Sequence, residues 1–279
     1  MSFVTRFAPS PTGPLHLGHA YSAMLAHDMA RAAGGTFLLR IEDTDTDRAR
    51  ACWEARILDD LHWLGLHWPT PVLRQSDRTD LYHDTLAGLA REGLVFPCSC
   101  TRGDIRAALS APQEGVAPPP PYPGTCRHRP MATRQPGDAL RLNLAAALRR
   151  VALPLRYVET GTARPGTKAV TAEMLQREAG DAVLARRQTE TVSYVLASVV
   201  DDAAQGISHV VRGEDLIAIT AVQVLLQALL GLPRPVYHHH RLIRDGAGKR
   251  LAKRDDARAI AKYRADGLAP DQIRAMVGL

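Results

Sequence analysis

Two histidines three residues apart, His16 and His19, follow a loop that cannot form a helix and begin a segment that can. The loop contains Pro9, Pro11 and Pro14, whose rings restrict the backbone and keep it extended. A helix that starts after such a loop presents unpaired N–H groups and a partial positive charge, so phosphate binds there readily. Both imidazoles could then donate hydrogen bonds to the oxygens of one triphosphate as their charge grows during a reaction.

The same two histidines have simpler explanations, namely solvated side chains on a helix surface or a pair of zinc ligands, although no third ligand adjoins them. The whole stretch RFAPSPTGPLHLGH, residues 6–19, resembles the first signature of the class I aminoacyl-tRNA synthetases, in the glutamyl and glutaminyl branch. This resemblance implies that His16, Gly18 and His19 bind ATP and that both histidines are catalytic. Gly18 would let the base or ribose lie against the backbone.

A basic stretch late in the chain, KRLAKRD at residues 249–255, resembles the second signature of that class, a mobile lysine loop. The resemblance implies that Lys253 binds ATP and is catalytic together with the two histidines. The stretch departs from the usual pattern, since Arg250 stands at the first basic position and Ala252 stands where serine is common. The missing hydroxyl removes one phosphate contact, and its effect is left open. Taken alone, such a stretch would be interpreted as a solvated loop.

Three charged residues suit free glutamate, which has two carboxylates and one ammonium group. Arg6, Glu42 and Arg212 supply two cations and one anion. Each lies at the end of a predicted parallel strand or just beyond it, where such sheets bind ligands. Arginine pairs with a carboxylate through two hydrogen bonds. Each residue alone could equally belong to a surface ion pair, so the inference depends on their occurring together.

The glutamyl family adds further residues to this pocket. Its amino-acid site is lined by the residues that match Arg6, Ala8, Ser10, Glu42, Tyr194 and Arg212. The resemblance implies that Arg212 takes the side-chain carboxylate, that Arg6 helps at a carboxylate, and that Glu42 and Tyr194 lie near the ammonium. The α-carboxylate of glutamate would attack the α-phosphorus of ATP, with Mg²⁺ on the leaving pyrophosphate. Catalysis would then consist of positioning and charge stabilisation.

Three of the four cysteines, Cys98, Cys100 and Cys126, lie close together and indicate a metal site in a reducing compartment more than a disulfide framework. Zinc usually takes four ligands. General chemistry suggests His128 as the fourth, whereas the cysteine pattern resembles that of the short glutamyl-synthetase paralogues, in which a tyrosine matching Tyr122 completes the site. We therefore expect one structural Zn²⁺ on Cys98, Cys100, Tyr122 and Cys126, with His128 as the alternative ligand. Reduced cysteines without a metal are a second alternative.

The elements that would position these residues alternate between strands and helices. Residues 3–8 and TFLLRI at 36–41 are predicted strands, each followed by an amphipathic helix, and the order βαβα favours a parallel sheet. In the second of these helices Cys52 falls in an apolar stripe, so we expect it to be a buried thiol. From Val95 prolines break the pattern, and the alternation returns with ISHVVRG and the helix that follows it.

We therefore predict an α/β fold, with a class I synthetase Rossmann-like parallel sheet that is split by an inserted zinc-bearing acceptor-type subdomain and followed by a short helical C-terminal segment. The predicted parts are 1–97 for the first half of the catalytic domain, 98–191 for the insertion, 192–245 for the second half, and 246–279 for the lysine loop and the helical segment.

Composition narrows the class of protein. The chain has 279 residues and a formal net charge of +6, which is compatible with a polyanionic partner. It contains no run of about 18 apolar residues that could span a bilayer, and its N-terminus lacks the apolar core of a signal peptide. We expect a cytoplasmic monomer without a membrane partner.

The resemblance covers nearly the whole chain, and the chain looks most like the short paralogues of glutamyl-tRNA synthetase. Those enzymes activate L-glutamate with ATP in the absence of tRNA and transfer it to the queuosine base in the anticodon of tRNA(Asp). The activation site is inferred from the residues named above, whereas the acceptor is inferred only from the resemblance and from the short chain after the lysine loop. Two alternatives stay open: a truncated glutamyl-tRNA synthetase that charges a 3′ end, and a catalytically silent RNA-binding paralogue.

Overall fold

The computed structural model of the chain describes residues 2–101, 103–105, 122–187, 191–244 and 258–279. The strands in these residues are β1 (Val4–Phe7), β2 (Thr36–Ile41), β3 (Leu73–Arg74), β4 (Val95–Cys98), β5 (Ala139–Leu142), β6 (Leu155–Glu159), β7 (Gly166–Val170), β8 (Val183–Ala185), β9 (His209–Gly213) and β10 (Val236–His240). The α-helices are α1 (Leu17–Ala32), α2 (Ala51–Trp63), α3 (Thr79–Arg91), α4 (Leu144–Leu148), α5 (Ala172–Glu178), α6 (Tyr194–Ala204), α7 (Ile217–Leu229), α8 (Ile260–Ala265) and α9 (Pro270–Val277). The first four elements follow the predicted order βαβα.

Two sheets with parallel strands form the centre of the fold. One has the order β1-β2-β3, and the other has the order β7-β6-β10-β9. In the second sheet β6, β10 and β9 run parallel, and β7 is antiparallel to β6. The sheets meet where the Ser208 amide donates to the Val4 carbonyl at 2.9 Å and the Val4 amide donates to Ser208 Oγ at 2.8 Å. The starts of β1 and β9 are therefore neighbours, which brings the ends of β1, β2 and β9 to a common edge.

A third sheet, with the order β4-β5-β8, is antiparallel and carries Cys98 at the end of β4. Its strands β5 and β8 come from the range 98–191, which the sequence predicts as an insertion. The same range also supplies β6 and β7 to the second parallel sheet, where Glu159 pairs with Tyr237 of β10. The range 98–191 thus contributes to two sheets, and its strands from residues 155–170 extend the parallel one.

The prediction of a buried thiol at Cys52 is wrong, because the side chain is exposed. Helix α2 begins at Ala51 and turns Ile57 and Leu61 into the core. A residue five positions before Ile57 lies about 140° away from it around the helix axis, so it faces solvent. The apolar residues around Cys52 did not indicate which face of the helix is buried.

Helices α8 and α9 pack on α1. The Ile260 amide donates to the Leu15 carbonyl at 2.9 Å, Arg274 pairs with Asp28 of α1, and Val277 is buried in the same cluster of apolar side chains as α1. These contacts hold residues 258–279 against α1 and the loop before it. Within the described ranges, no helix is long and apolar enough to cross a membrane.

Candidate active site

The loop after β1 brings His16 and His19 to the N-terminus of α1. His16 is the N-cap residue, and its Nδ1 accepts a hydrogen bond from the Gly18 amide at 3.1 Å. His19 Nδ1 accepts from the His16 amide at 3.2 Å, and the two ring centroids lie 3.7 Å apart. Because each Nδ1 is an acceptor, the neutral rings carry their proton on Nε2. Both histidines can therefore donate from Nε2 to a phosphate at this helix end.

Gly18 also leaves room for the side chain of His16. A Cβ atom at position 18 would lie 3.0 Å from His16 Cε1, and the imidazole ring would have to shift to accept it. The glycine that the sequence predicts for close approach of a nucleotide therefore keeps the His16 ring in place as well. A side chain at position 18 would therefore displace the imidazole ring of His16, which is predicted to bind phosphate.

A buried ion cluster lies at the ends of β1 and β2. Its members are three arginines and three carboxylates: Arg6, Arg40, Arg78, Glu42, Asp201 and Asp202. Arg6 donates to Asp202 from Nε at 2.9 Å and from Nη2 at 3.2 Å. Arg40 donates to Asp202 at 2.7 Å and to Glu42 at 3.1 Å. When all six groups are ionised, positive and negative charges are equal in number, so the cluster is neutral.

Burial and charge act in opposite directions on the carboxyl groups of this cluster. Burial alone would raise the pKa of Asp202, but Arg6 and Arg40 outweigh it and lower that pKa to about 2. At Glu42 burial is the larger effect, and it raises the pKa above its ordinary value despite the attraction of Arg40 and Arg6. Asp202 therefore stays an anion, whereas a further cation beside Glu42 would stabilise the anionic form of that residue.

Arg212, in β9, is as deeply buried as Arg6 but has different partners. It is 5% exposed. Its Nε donates to His239 Nε2 at 3.1 Å, its Nη2 donates to Thr220 Oγ1 at 2.8 Å, and its Nη1 donates to the Tyr194 hydroxyl at 3.4 Å. These acceptors are neutral, and none of the ion pairs among the described residues includes Arg212. A buried guanidinium is costly unless an anion neutralises its charge.

A cavity of about 420 Å³ lies at this edge of the sheets. Five of the residues predicted from the sequence line it: Ala8, Ser10, His19, Glu42 and Tyr194. The structure places the other predicted residues, Arg6, His16, Gly18 and Arg212, outside the lining. Arg212 reaches the cavity through Tyr194, whose hydroxyl accepts its hydrogen bond. The structure therefore brings four of the six residues predicted for glutamate and one predicted catalytic histidine to a single cavity.

Sequence reasoning missed several residues that line the cavity: Thr12, Thr44, Asp45, Arg48, Gln75 and Arg186. Asp45 Oδ2 accepts from Arg48 Nε at 2.8 Å and from Arg186 Nη1 at 3.0 Å. Asp45 stands in a charged loop directly after a predicted strand, and that position was the available signal. Nothing in the sequence indicated Arg186, which is 141 residues away and comes from the predicted insertion.

The predicted lysine loop at 249–255 lies outside the described residues, and with it Lys253 and Ala252. The roles of Lys253 in ATP binding and catalysis stay predictions. Ala259, a few residues later, forms an antiparallel bridge with His16. Residue 259 is thus fixed beside the N-terminus of α1, where the predicted phosphate site lies.

The three cysteines predicted as metal ligands come together at the end of β4. The sulfur atoms of Cys98, Cys100 and Cys126 lie within 4.8 Å of one another and could hold a metal ion. The Tyr122 hydroxyl lies 3.4 Å from Cys98 Sγ and 3.7 Å from Cys100 Sγ, and it accepts from the Cys126 amide at 2.7 Å. Tyr122 is buried, whereas His128 is exposed. The oxygen of Tyr122, and not a ring nitrogen of His128, thus lies against the thiols.

The chemistry of this cysteine cluster fits a metal. Burial raises the pKa of the Cys100 thiol to about 11. At Cys126 burial also opposes ionisation, but hydrogen bonds from Tyr122 and Cys100 outweigh it and lower the pKa to about 7. The thiolate is the form that binds metals. Three sulfurs and one oxygen also supply the four ligands of a structural metal site.

Comparison with known proteins identifies the family. The family described as "tRNA synthetases class I (E and Q), catalytic domain" matches residues 2–279. The chain is 58% identical to glutamyl-Q tRNA(Asp) synthetase of Rhodobacter capsulatus, and the match covers 99% of this chain and 100% of the relative. It is 40% identical to the protein of that name from Symbiobacterium thermophilum, and that match covers 96% of this chain and 83% of the relative. Its structure is similar to that of a glutamate tRNA ligase from Elizabethkingia meningosepticum, with a TM-score of 0.77 and 28% identity.

That last similarity covers all of this chain but 61% of the solved one, so the chain spans less than two thirds of the ligase that it resembles in structure. The match includes the parallel sheets and the helices between them, and it confirms the predicted class I synthetase α/β fold. The chain therefore belongs to the tRNA synthetases of class I (E and Q), a family of ligases.

Proposed function

We propose that this protein activates L-glutamate with ATP in the absence of tRNA and transfers the glutamyl group to the queuosine base in the anticodon of tRNA(Asp). The observation that carries the activation step is the buried Arg212, whose described hydrogen-bond acceptors are all neutral. The proposed acceptor rests on the relatives whose name is glutamyl-Q tRNA(Asp) synthetase.

Charge supports glutamate as the amino acid. Its α-ammonium and α-carboxylate sum to zero, which suits the neutral ion cluster that contains Arg6 and Glu42. Its side-chain carboxylate adds one negative charge, which suits Arg212. A bound glutamine would leave the charge of Arg212 buried without an anion, and the free-energy cost of that buried charge disfavours the binding of glutamine. Glu42 and Tyr194 line the cavity, and we assign the ammonium group to them.

The reaction needs no nucleophile from the protein. An oxygen of the glutamate α-carboxylate attacks the α-phosphorus of ATP, the bond to the bridging oxygen breaks, and pyrophosphate leaves. The Nε2–H groups of His16 and His19, with the charge of Lys253, stabilise the phosphate oxygens as their charge grows. A hydroxyl of the acceptor then attacks the acyl carbon of the adenylate, and AMP leaves. Mg²⁺ accompanies the nucleotide as part of the substrate.

Two labels separate the two halves of this function, pyrophosphate for activation and glutamate for transfer. With glutamate, ATP, Mg²⁺ and labelled pyrophosphate but no tRNA, the protein should catalyse ATP–pyrophosphate exchange, because the groups assigned to activation all belong to the chain. In the second half, tRNA(Asp) from cells that make queuosine should accept label, and tRNA(Asp) from cells that cannot make it should accept none. Removing the 3′-terminal adenosine from the queuosine-containing tRNA should leave its acceptance unchanged.

Other results would contradict the proposal at identifiable points. Exchange that occurs only when tRNA is added would contradict tRNA-independent activation. Equal labelling of both tRNA(Asp) preparations, or labelling that disappears with the terminal adenosine, would instead indicate a ligase that charges a 3′ end. The absence of exchange under every condition would indicate a silent RNA-binding paralogue.

We further propose that the metal of the cysteine cluster is one structural Zn²⁺, held by Cys98, Cys100, Cys126 and the Tyr122 oxygen. Zinc is the usual occupant of closed, sulfur-rich, four-ligand sites. It would tie the end of β4 to the turn that contains Tyr122 and Cys126. No part of the activation chemistry depends on it.

Cys98→Ser should lower the zinc content from about one to well below one atom per chain and lower the temperature of unfolding, because metal binding contributes folding free energy. ATP–pyrophosphate exchange measured below that temperature should continue, since the activation residues lie elsewhere. Cys52→Ser, at an exposed cysteine outside the cluster, is the matched control. Elemental analysis that finds the same zinc in both variants would reject the site.

A further inference from the structure

The side chain of His239 lies between Arg212 and a buried carboxylate. Its Nε2 is 3.1 Å from Arg212 Nε, and its Nδ1 is 2.5 Å from Glu159 Oε2. Thr220 Oγ1 also lies 3.2 Å from His239 Nε2. His239 and Glu159 are 3% and 4% exposed. The four residues therefore form one continuous buried chain of hydrogen bonds that ends at the guanidinium group.

This arrangement determines the tautomer of His239. Arg212 Nε always carries a hydrogen and can only donate, so His239 Nε2 must be unprotonated. The proton of the neutral ring then sits on Nδ1 and is donated to Glu159. Burial is the main cause that lowers the pKa of His239, and the charge of Arg212 acts in the same direction. The ring therefore stays neutral and accepts a hydrogen bond from Arg212 without neutralising its charge.

The backbone fixes the position of each member. In the register of β9 and β10, His239 is the partner of Arg212. Glu159 ends β6, and its Oε1 accepts from the amides of Gly161 at 2.7 Å and His239 at 3.0 Å. A Cβ atom at Gly161 would lie 2.2 Å from the His239 carbonyl oxygen, so only glycine permits this close approach. Glu159 is thus bound to backbone donors through one oxygen and directs the other at His239.

We propose that Glu159 and His239 are positioning residues for glutamate selection, because together they fix the Arg212 guanidinium and leave its charge for the side-chain carboxylate of the substrate. This inference rests on the proposed function of Arg212. A carboxylate in direct contact with Arg212 would hold the side chain equally well, but it would neutralise the charge that distinguishes glutamate from glutamine. A neutral imidazole between the two charged groups gives orientation without neutralisation.

Glu159→Gln tests the tautomer with almost no change in shape. The amide oxygen of the new side chain stays on the two backbone N–H groups, so its NH₂ group faces His239 Nδ1 and makes that nitrogen an acceptor. The ring proton moves to Nε2, where it opposes Arg212 Nε–H. We expect KM for glutamate to rise about 10- to 100-fold, the range that a mispaired buried hydrogen bond produces. We expect KM for ATP and kcat at saturating glutamate to change by less than about threefold, since only substrate binding is affected.

Two further variants separate positioning from a merely structural role. His239→Gln supplies a neutral oxygen acceptor to Arg212, and it should keep the preference for glutamate over glutamine. His239→Glu supplies a charged acceptor, and it should lose most of that preference even where the fold is retained. Glu92→Gln, at an exposed carboxylate that lies 4.0 Å from Arg150, is the matched control for Glu159→Gln and should behave as the wild type. Thermal unfolding of every variant reports on folding.

The outcomes distinguish this inference from the proposed function. If the wild type shows glutamate-dependent exchange but Glu159→Gln has the KM of Glu92→Gln, the positioning role is refuted and the proposed function stands. Equal glutamate preference in His239→Gln and His239→Glu would refute it as well. A wild-type protein without glutamate-dependent exchange would overturn the proposed function itself, and the inference with it.

Discussion

Replacing Arg212 by alanine should remove the use of glutamate, with kcat/KM for glutamate in ATP–pyrophosphate exchange at least about thirtyfold lower. Loss of a charge-assisted contact in a desolvated pocket costs about 2 to 5 kcal/mol, which corresponds to that factor or more. Arg212 is 5% exposed, and its described acceptors are neutral. Its removal leaves no carboxylate without a partner, so stability should fall much less than activity.

Arg212→Lys is the matched comparison, because lysine keeps the charge but not the planar fork or the Nε contact to His239. We expect its kcat/KM to lie between those of the wild type and Arg212→Ala. KM for ATP should be unchanged in both variants, and thermal unfolding should show that both are folded. Wild-type kinetics in Arg212→Ala would mean that the glutamate carboxylate binds elsewhere.

The edge of the sheet that carries the site could be predicted from the sequence. Arg6, Glu42 and Arg212 each lie at the end of a segment that the sequence predicts as a buried parallel strand, or just beyond it. The carboxyl ends of parallel strands lie at one edge whatever the order of the strands. Their meeting near a single cavity therefore needed no knowledge of the connections between them.

The hydrogen-bond partners of those residues could not be predicted from the sequence. Asp202 is 196 residues from Arg6 and belongs to α6, so only the packing of that helix against the sheet joins them. Three histidines in a row, residues 238–240, gave no reason to select His239. His239 is the one of the three that lies beside Arg212, because of the alternation of side chains along β10 and the register of β10 with β9. Such pairings depend on tertiary register, which leaves no local trace in a single sequence.

The buried ion cluster should be the most sensitive part of the fold. Asp202→Asn should lower the free energy of unfolding by about 3 to 5 kcal/mol at pH 7, because it leaves Arg6 and Arg40 buried with one counter-charge fewer. Urea unfolding of both proteins measures the difference. Asp59→Asn, which breaks an exposed pair with Arg264, is the control and should cost less than about 1 kcal/mol.

The same difference should depend on pH in a defined direction. The pKa of Asp202 is lowered to about 2 in the folded protein, against about 3.9 in an unfolded chain. Its contribution to stability is therefore complete above about pH 4 and is lost as the pH falls towards 2, whereas asparagine does not titrate. The gap between the wild type and Asp202→Asn should narrow by about 2 kcal/mol across that window. Glu42, whose pKa is raised by burial, titrates in the opposite sense, but it is present in both proteins and its direct effect largely cancels. The difference in the free energy of unfolding between the wild type and Asp202→Asn could instead stay constant between pH 7 and pH 3. That result would mean that Asp202 stabilises the protein through its shape and hydrogen bonds rather than through its charge.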